Sequence, residues 1–540
     1  MRGGAEAPTS RVVQVGGGGT AGGRAGCDPV PRLGVILAIL MALAIVPLWS
    51  SRYLPMVDVP HHLAHVNILH HLDDGELPFG RFFTTRAGFT PYLGYYWTLN
   101  LLAYAIPLEW ANRLFLSLYV AALPVSTAAL AAALGRSPWL GLFALPLAFT
   151  FEFHMGFVGH LASLAMMMGS LALYASRLQG RRAGRGWSAL AALLPLACLV
   201  THVQPYAFFL AGLAVMIVLF PGRRAGALLA AAPSAVLFLS WLLPIAAGRA
   251  GGPSLTSGIG WEPFAGRLAA LWGDLFTQFS DPIDSVLLAA FAVMWAWAMV
   301  SSLRSQPSSF VLGERWTPIV LAGGAIAGYL TMPTHAALMQ FIHHRYATMA
   351  ALLLAVAVPL TRRGAGRAWC AALVVLCAAH AIYLTVQFRR FDAEVGDFAA
   401  LAANVERGSC VAQIDPYPPA GVMRNPAIYS GFNSYISLWR GAVPGTTFAS
   451  TRHSPLALRA RDGTTAASLR DAALPEVRAQ EVHVRRGTLY ATYGGFYRYF
   501  LTPRRRDVKE LFGAAAGKLE KVGEAGPLAL YSNPEGRCGQ

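Results

Sequence analysis

Apolar residues in this chain gather in long uncharged runs separated by short polar segments, the pattern of a protein that crosses a bilayer many times. The first run is Leu33 to Trp49. Further runs near bilayer length are Leu114 to Leu134, Pro138 to Phe151, Met155 to Ser176, Trp187 to Thr201, Pro205 to Phe220, Ala225 to Ala247, Ser285 to Leu303, Trp316 to Thr334, Tyr346 to Thr361 and Ala368 to Gln387. Together they predict eleven spans. Another candidate, Leu93 to Leu108, is bracketed by Pro91 and Pro107 and carries Asn100.

Arginine placement decides about that candidate, because cytoplasmic loops of membrane proteins carry the excess of Lys and Arg. If Leu93 to Leu108 spans, the cluster Arg177, Arg181, Arg182, Arg185 falls outside. If it lies on the outer surface, one side receives Arg136, that cluster, Arg223 with Arg224, Arg304 with Arg315, and Arg362, Arg363, Arg367. The second arrangement satisfies every loop, so the N-terminus is expected inside and the C-terminus outside. Residues 51 to 112 then form a long first outer loop with membrane-hugging helices.

Residues 1 to 32, rich in Gly and Ala with no periodicity, are expected to be a disordered cytoplasmic tail. Ser51-Arg52-Tyr53 after the first run lacks an A-x-A cleavage pattern, so that run is read as an uncleaved anchor. The transmembrane domain is expected over 33 to 388 and a small extracytoplasmic α/β domain over 389 to 540. In the latter, Asp392 to Glu406 is expected as an amphipathic helix. Cys410 to Ile414, Leu489 to Tyr493 and Leu528 to Tyr531 are expected as strands.

Composition agrees with this class. Of 540 residues 55% are hydrophobic and 13% charged, against roughly 25% charged in soluble domains, and mean hydropathy is +0.46. The formal charge of +16 is spread through short loops, almost all of it on arginine, and indicates no nucleic-acid partner. The six cysteines form no CxxC or zinc spacing. Cys410 and Cys538 lie in the polar C-terminal region and are placed to pair if that region is extracytoplasmic. No Walker loop and no GxGxxG preceding a helix is present, so nothing marks nucleotide-driven transport.

The chemistry-bearing stretch follows the first span: Met56-Val57-Asp58-Val59-Pro60-His61-His62-Leu63-Ala64-His65. An acid and three imidazoles at the end of a membrane helix need water, partners or a substrate, because burying them in hydrocarbon is costly. In the expected topology His154, His160, His202, His335, His343 and His344 fall on the same outer side as Asp58, with Glu152 and Arg345. Singly, each histidine is also readable as a bridge between helices. Glu152, in Phe151-Glu152-Phe153-His154, stands at a depth where ionisable groups are usually functional. Arg345 reads either as a snorkelling anchor or as an anion ligand. A divalent metal held by these histidines lacks any HExxH or comparable spacing to support it.

A span, an outer-loop acid in Asp58-x-Pro60-x-His62, a long loop with surface helices, the aromatic junction Phe151-Glu152-Phe153-His154-Met155-Gly156-Phe157 and a trailing outer α/β domain together resemble the GT-C superfamily of membrane glycosyltransferases, in its bacterial form. The resemblance covers about residues 33 to 390 in layout. It implies transfer of a sugar from a polyprenyl-phosphate carrier to a glycan, lipid or protein acceptor at the outer face of the cytoplasmic membrane. It also implies that Asp58 is a general base or a metal ligand. Arg345, with His343 or His344, is then expected at the donor phosphate, and His62, Glu152 and His154 along the sugar or acceptor cleft. The chain departs from better-known members in lacking a second acidic pair in the first loop, since Asp73-Asp74 reads as a solvated helix end. The competing classes are a transporter or flippase for a lipid-linked or anionic solute, and a non-catalytic envelope scaffold. A transporter calls for inverted repeats and broken helices at matching positions, and a scaffold leaves Asp58 dispensable.

Overall fold

The computed structural model describes residues 30–181, 184–220, 222, 224–247, 258–304, 311–336, 339–361, 366–415, 417–451, 454–466, 468, 470–477 and 488–539. The tail expected to be disordered therefore lies almost wholly outside the described residues. Among the described residues six helices are long and apolar enough to cross a membrane: Arg32–Ser50, Leu108–Ala133, Val158–Leu178, Arg224–Ala246, Ile283–Arg304 and Arg367–Ala403. Pro138–Leu147, Gly186–Thr201, Val203–Leu219 and Arg345–Ala357 are shorter apolar helices. The chain is an α-helical membrane protein.

In chain order the main helices are α1 Val30–Ser50, α2 Val59–His70, α3 Leu93–Leu102, α4 Leu108–Ala133, α5 Phe151–Met155, α6 Val158–Leu178, α7 Arg185–Thr201 and α8 Val203–Leu219. They continue with α9 Arg224–Ala246, α10 Phe264–Leu275, α11 Ile283–Arg304, α12 Leu312–Thr331, α13 Arg345–Ala357, α14 Arg367–Val395, α15 Phe398–Ala403 and α16 Phe432–Arg440. Helix α3, the candidate between Pro91 and Pro107, has 10 residues. That is about 15 Å of helix, half of the roughly 30 Å hydrocarbon core.

The run Pro138 to Phe151, expected as one span, is broken. It consists of a 3-10 turn at Pro138–Phe143, a four-residue helix at Ala144–Leu147 and then α5. Pro146 has no N–H to donate to a regular helix, and Gly141 lies so close to α4 that a Cβ there would sit 2.7 Å from the Pro124 carbonyl oxygen. Irregular backbone at this depth survives because protein covers it, and residues 139–150 are all buried.

The loop arginines at one end of the bundle are tied together. Arg136 donates to the carbonyls of Leu134 at 2.8 Å and Glu314 at 2.6 Å. Arg181 pairs with the Glu314 carboxylate and donates to Ala133 O at 3.1 Å. Arg182, Arg223, Arg362 and Arg363 lie outside the described residues.

Two expectations for the C-terminal region need correction. Asp392 to Glu406 is not one helix: α14 runs on through Val395, Gly396 at φ +66 breaks it, and α15 follows. Leu489–Tyr493 is a helix rather than a strand; its buried residues, Leu489 and Tyr493, are four apart, the helical spacing. The strands are β1 Phe83–Thr85, β2 Cys410–Gln413, β3 Val443–Pro444, β4 Leu456–Leu458, β5 Tyr499–Pro503, β6 Glu520–Ala525 and β7 Leu528–Ser532. Five form a mixed sheet in the order β3-β2-β5-β7-β6. Within it β2 is parallel to both neighbours, and β7 is antiparallel to β5 and β6.

The C-terminal region is joined to residues 51–112 instead of standing apart. β1 pairs antiparallel with β4, Asn67 on α2 donates to Ser437 O on α16 at 3.1 Å, and Trp439 donates to Glu109 at 2.7 Å. The end of α14 is the other attachment. Asp392 accepts the backbone N–H groups of Arg52 and Tyr53 at 2.8 Å each, and Glu394 accepts those of Gly421 and Val422 at 2.8 Å. Cys410 and Cys538 face one another as free thiols.

The β6–β7 turn seats Gly526 against the end of α14, at φ +50, where a Cβ would lie 2.3 Å from Glu394 O and 2.6 Å from Val395 O. Gly526→Ala is therefore expected to destabilise the fold by about 1–3 kcal/mol, read as a lower unfolding midpoint of the purified protein in detergent; an unchanged midpoint would mean that this contact is not rigid.

Candidate active site

Asp58 is placed by backbone, not by its own side chain. After α1 the chain turns along the bundle end, and two N–H groups pair with the α5 segment: Val57 N with His154 O at 2.8 Å and Asp58 N with Met155 O at 3.0 Å. Gly156 makes that approach feasible. It ends α5 at φ +83, and a Cβ there would come within 2.8 Å of Asp58 N. Asp58 then caps α2, with Pro60 in the first turn and its carbonyl accepting His62 N at 2.9 Å. Its carboxylate makes no capping bond and opens on a cavity of about 220 Å³.

The other walls come from distant parts of the chain. His62 reaches the cavity from α2, with Nδ1 2.8 Å from the Tyr96 hydroxyl on α3. Tyr92 and Tyr95 come from the start of α3, His160 from α6, His202 from the turn between α7 and α8, and Arg345 from the first residue of α13. Phe448, Thr451 and Ser454 close it from the C-terminal region. Arg345 is held at 3.0 Å from His202 Nε2 and 3.3 Å from Gln340 O, with its guanidinium 4.2 Å from the Phe157 ring centre. Arginine only donates, so His202 turns Nε2 towards the Arg345 guanidinium, while its Nδ1 faces the Gln204 backbone N–H at 3.2 Å. Arg345 Nε and both ring nitrogens of His160 are buried without a hydrogen-bond partner among the described residues. An unmade bond at a buried polar group costs about 1–3 kcal/mol. Three such atoms around one cavity make it receptive to an oxygen-rich ligand.

Burial also sets the protonation states of the outer-loop groups. Desolvation lifts the Asp58 carboxyl to about 7, and the nearby Arg345 charge pulls the other way without cancelling it. His62 is pushed down to about 3 by burial, with the charges of His65 and His61 adding to the effect. At neutral pH, Asp58 is therefore poised between acid and base, while His62 is a neutral hydrogen-bonding group.

Of the residues singled out by sequence, Asp58, His62 and Arg345 come together. Four do not reach the cavity. Glu152 turns inward, where Thr150 and Thr348 donate to its carboxylate, the latter at 2.5 Å. His154 is buried with Nδ1 2.9 Å from Pro55 O. His343 and His344 precede Arg345 but lie against Glu262 and Asp274 instead. A three-residue stretch entering a helix fans its side chains by about 100° per residue, so Arg345 and its neighbours cannot share one target. Sequence reasoning missed Tyr92, Tyr95 and Tyr96, although Tyr92-Leu93-Gly94-Tyr95-Tyr96 is a visible aromatic cluster. Nothing local marks Phe448, Thr451 or Ser454. Among the described residues one group brings three metal-ligand atoms together, Glu262 with His343 and His344, and Asp58 is not in it.

No protein-family model and no curated protein matches the chain. Solved structures do match. The fold superposes on ArnT from Cupriavidus metallidurans in the apo state with a TM-score of 0.54, over 94% of this chain and 98% of that one, at 11% identity. The chain has the GT-C fold. A second GT-C structure, the mycobacterial arabinofuranosyltransferase AftD, is similar at TM-score 0.48 and 14% identity over 95% of this chain, which spans only 42% of the AftD chain. At 11% identity the ArnT likeness is one of architecture, and the GT-C expectation for the fold is met on that ground.

The raised Asp58 carboxyl is directly observable. In infrared spectra of the purified protein, a protonated-carboxyl band is expected to disappear with rising pH at a midpoint near 7, and to be missing from Asp58→Asn. A wild-type minus Asp58→Asn difference that titrates near pH 4 instead would show the site to be well hydrated.

Proposed function

We propose that this protein is a glycosyltransferase of the cytoplasmic membrane that moves a sugar from a polyprenyl-phosphate carrier to an acceptor hydroxyl on the outer face. The observation that carries the proposal is the pairing of the Asp58–Arg345 cavity with an apolar groove. The groove, about 870 Å³, runs between α4, α6 and α7 from Thr98 towards Arg181. Phe115 in its wall packs on Tyr95 in the wall of the cavity, with ring centres 5.0 Å apart. An isoprenoid chain in the groove would bring its phosphate to the cavity, where Arg345 has an unfilled donor.

The chemistry follows from the groups present. The Asp58 carboxylate takes the proton of the acceptor hydroxyl as its oxygen attacks the anomeric carbon. The bond from that carbon to the phosphate oxygen breaks, and Arg345 stabilises the charge collecting on the departing polyprenyl phosphate. His62, neutral and bonded to Tyr96, holds a sugar or acceptor hydroxyl. Tyr92, Tyr95 and Phe448 supply the aromatic faces on which a sugar ring rests. The C-terminal region, through Phe448, Thr451 and Ser454, contacts the acceptor side.

The topology belongs to the same proposal: eleven spans, with the arginine-rich end cytoplasmic and both residues 51 to 112 and the region after Phe388 outside. A cysteine introduced at position 181 is expected to react with impermeant thiol reagents only after the membrane is opened, and one at 450 in intact cells. Labelling of 181 from outside would reverse the orientation.

Catalysis is tested with purified protein and polyprenyl-phosphate sugars. Asp58→Asn is expected to retain the fold and lose roughly two to four orders of magnitude in rate. The wild-type kcat/KM should rise with pH to a plateau above about 7, the range to which burial lifts Asp58, since the base acts only when deprotonated. Arg345→Ala should raise KM for the donor, with Arg345→Lys recovering part of the loss. Full transfer by Asp58→Asn would remove it from the mechanism, and inactivity of the wild type with every donor would overturn the proposal.

A further inference from the structure

Beside the cavity, but not in it, the outer end of the bundle carries a second constellation. Glu262 precedes α10, and its position is fixed by backbone. Gly260 N bonds His335 O at 3.0 Å, Thr334 N bonds Gly260 O at 2.8 Å, and Glu262 N bonds the Thr334 hydroxyl at 3.0 Å. Arg267 donates to Tyr329 O at 2.8 Å and Met332 O at 2.7 Å, locking α10 onto the end of α12. The half-exposed Glu262 carboxylate is thereby directed at the residues entering α13: His343 Nε2 lies 3.4 Å from Glu262 Oε2, and His344 Nε2 lies 4.0 Å from the same oxygen.

Three features of this group go beyond an ion pair. His343 is fully buried, and neither of its ring nitrogens has a hydrogen-bond partner among the described residues. His344 presents Nδ1 to Asp274 Oδ1 at 2.7 Å, and Asp274 is itself fixed by the Tyr329 hydroxyl at 2.8 Å. The carboxylate accepts a hydrogen bond from Nδ1–H, which keeps the ring proton there and leaves the Nε2 lone pair facing Glu262. That is the carboxylate–histidine relay that orients an imidazole towards a metal. Finally, the three ligand atoms lie within 4.8 Å of one another. A tetrahedral zinc with bonds of about 2.0–2.1 Å needs its ligands roughly 3.3 Å apart, so small rotations of the two rings and the carboxylate close the site.

We propose that Glu262, His343 and His344 bind one zinc-class divalent ion, which ties the loop entering α10 to the head of α13, with Asp274 as the group that orients His344. Two imidazoles and one carboxylate select a borderline transition ion over magnesium or calcium, which prefer all-oxygen sites. The fourth position is left for water. The separations in sequence, Glu262 to His343 to His344, match no local zinc spacing, which is why the site is silent in the sequence.

The test uses the full chain purified in detergent, stripped with a chelator and re-exposed to zinc, with bound metal counted by mass spectrometry and the unfolding midpoint followed in parallel. Wild type is expected to recover about one zinc per chain and a higher midpoint, and magnesium at the same concentration to do neither. Glu262→Gln, a near-isosteric change at a half-exposed residue, should fold normally and bind zinc at least tenfold more weakly. Asp274→Asn keeps all three ligands and should weaken zinc by about 10–100-fold through His344 alone. Failure of wild type to take up zinc, or equal uptake by Glu262→Gln, would overturn the proposal. The readout is metal content, so its outcome is independent of whether the chain transfers sugar.

Discussion

The backbone pairing of residues 57 and 58 with residues 154 and 155 is the constraint on which the Asp58 cavity depends. A chain leaving a membrane helix has N–H groups that hydrocarbon cannot satisfy, and here they find carbonyls in a short irregular segment on the other side of the bundle. The neighbouring contacts repeat the solution. His154 Nδ1 sits against Pro55 O, and Asp392 receives the N–H groups of Arg52 and Tyr53. Residues 51 to 58 are thus pinned at both ends, and α2 projects from a fixed point. With Gly156 providing the close approach, the position of Asp58 follows from main-chain geometry.

Two buried acids show how placement separates structure from chemistry. Glu152 receives hydroxyl hydrogen bonds from two threonines on one carboxylate oxygen and does not line the Asp58 cavity, so it reads as a bridge between α5 and α13. Asp58 receives no side-chain capping bond and faces Arg345, His160 and His62 across a space large enough for a ligand. The cost of leaving those groups incompletely paired is borne by the surrounding helices, whose buried apolar contacts run continuously from α1 to α16. Charged groups buried around a cavity in this way interact more strongly than they would in water.

The C-terminal region contributes to the same site. Strand β4 pairs with β1 from the first loop, α16 lies on α2 with Ser434 Oγ 3.0 Å from His61 Nδ1, and Phe448 stacks near His61, His62 and His65. Residues 51 to 112 and the chain after α14 thus pack together as one layer. The boundary expected at residue 389, where the apolar runs end, falls inside α14, which continues to Val395.

Much of the membrane part was legible in sequence because hydrocarbon imposes a one-dimensional rule: long uncharged runs, arginine at one set of turns, histidine and acid at the other. That rule found the apolar helices, and it singled out Asp58, His62 and Arg345, which the fold brings to one cavity. It misjudged Pro138 to Phe151, where composition reads as a span but proline and close packing break the helix, and Leu489 to Tyr493, where five residues are too few to separate periods of 2 and 3.6. It also had no means of separating Arg345 from His343 and His344, or Asp58 from Glu152. Which way a side chain points around a helix start, and which distant atom meets it, are set by the packing of α10, α12 and α13 and by the clasp at Gly156. Hydropathy is a property of a segment and survives in the linear order. The orientation of a lone pair or a guanidinium depends on contacts between residues up to hundreds of positions apart, and those exist only once the chain has folded.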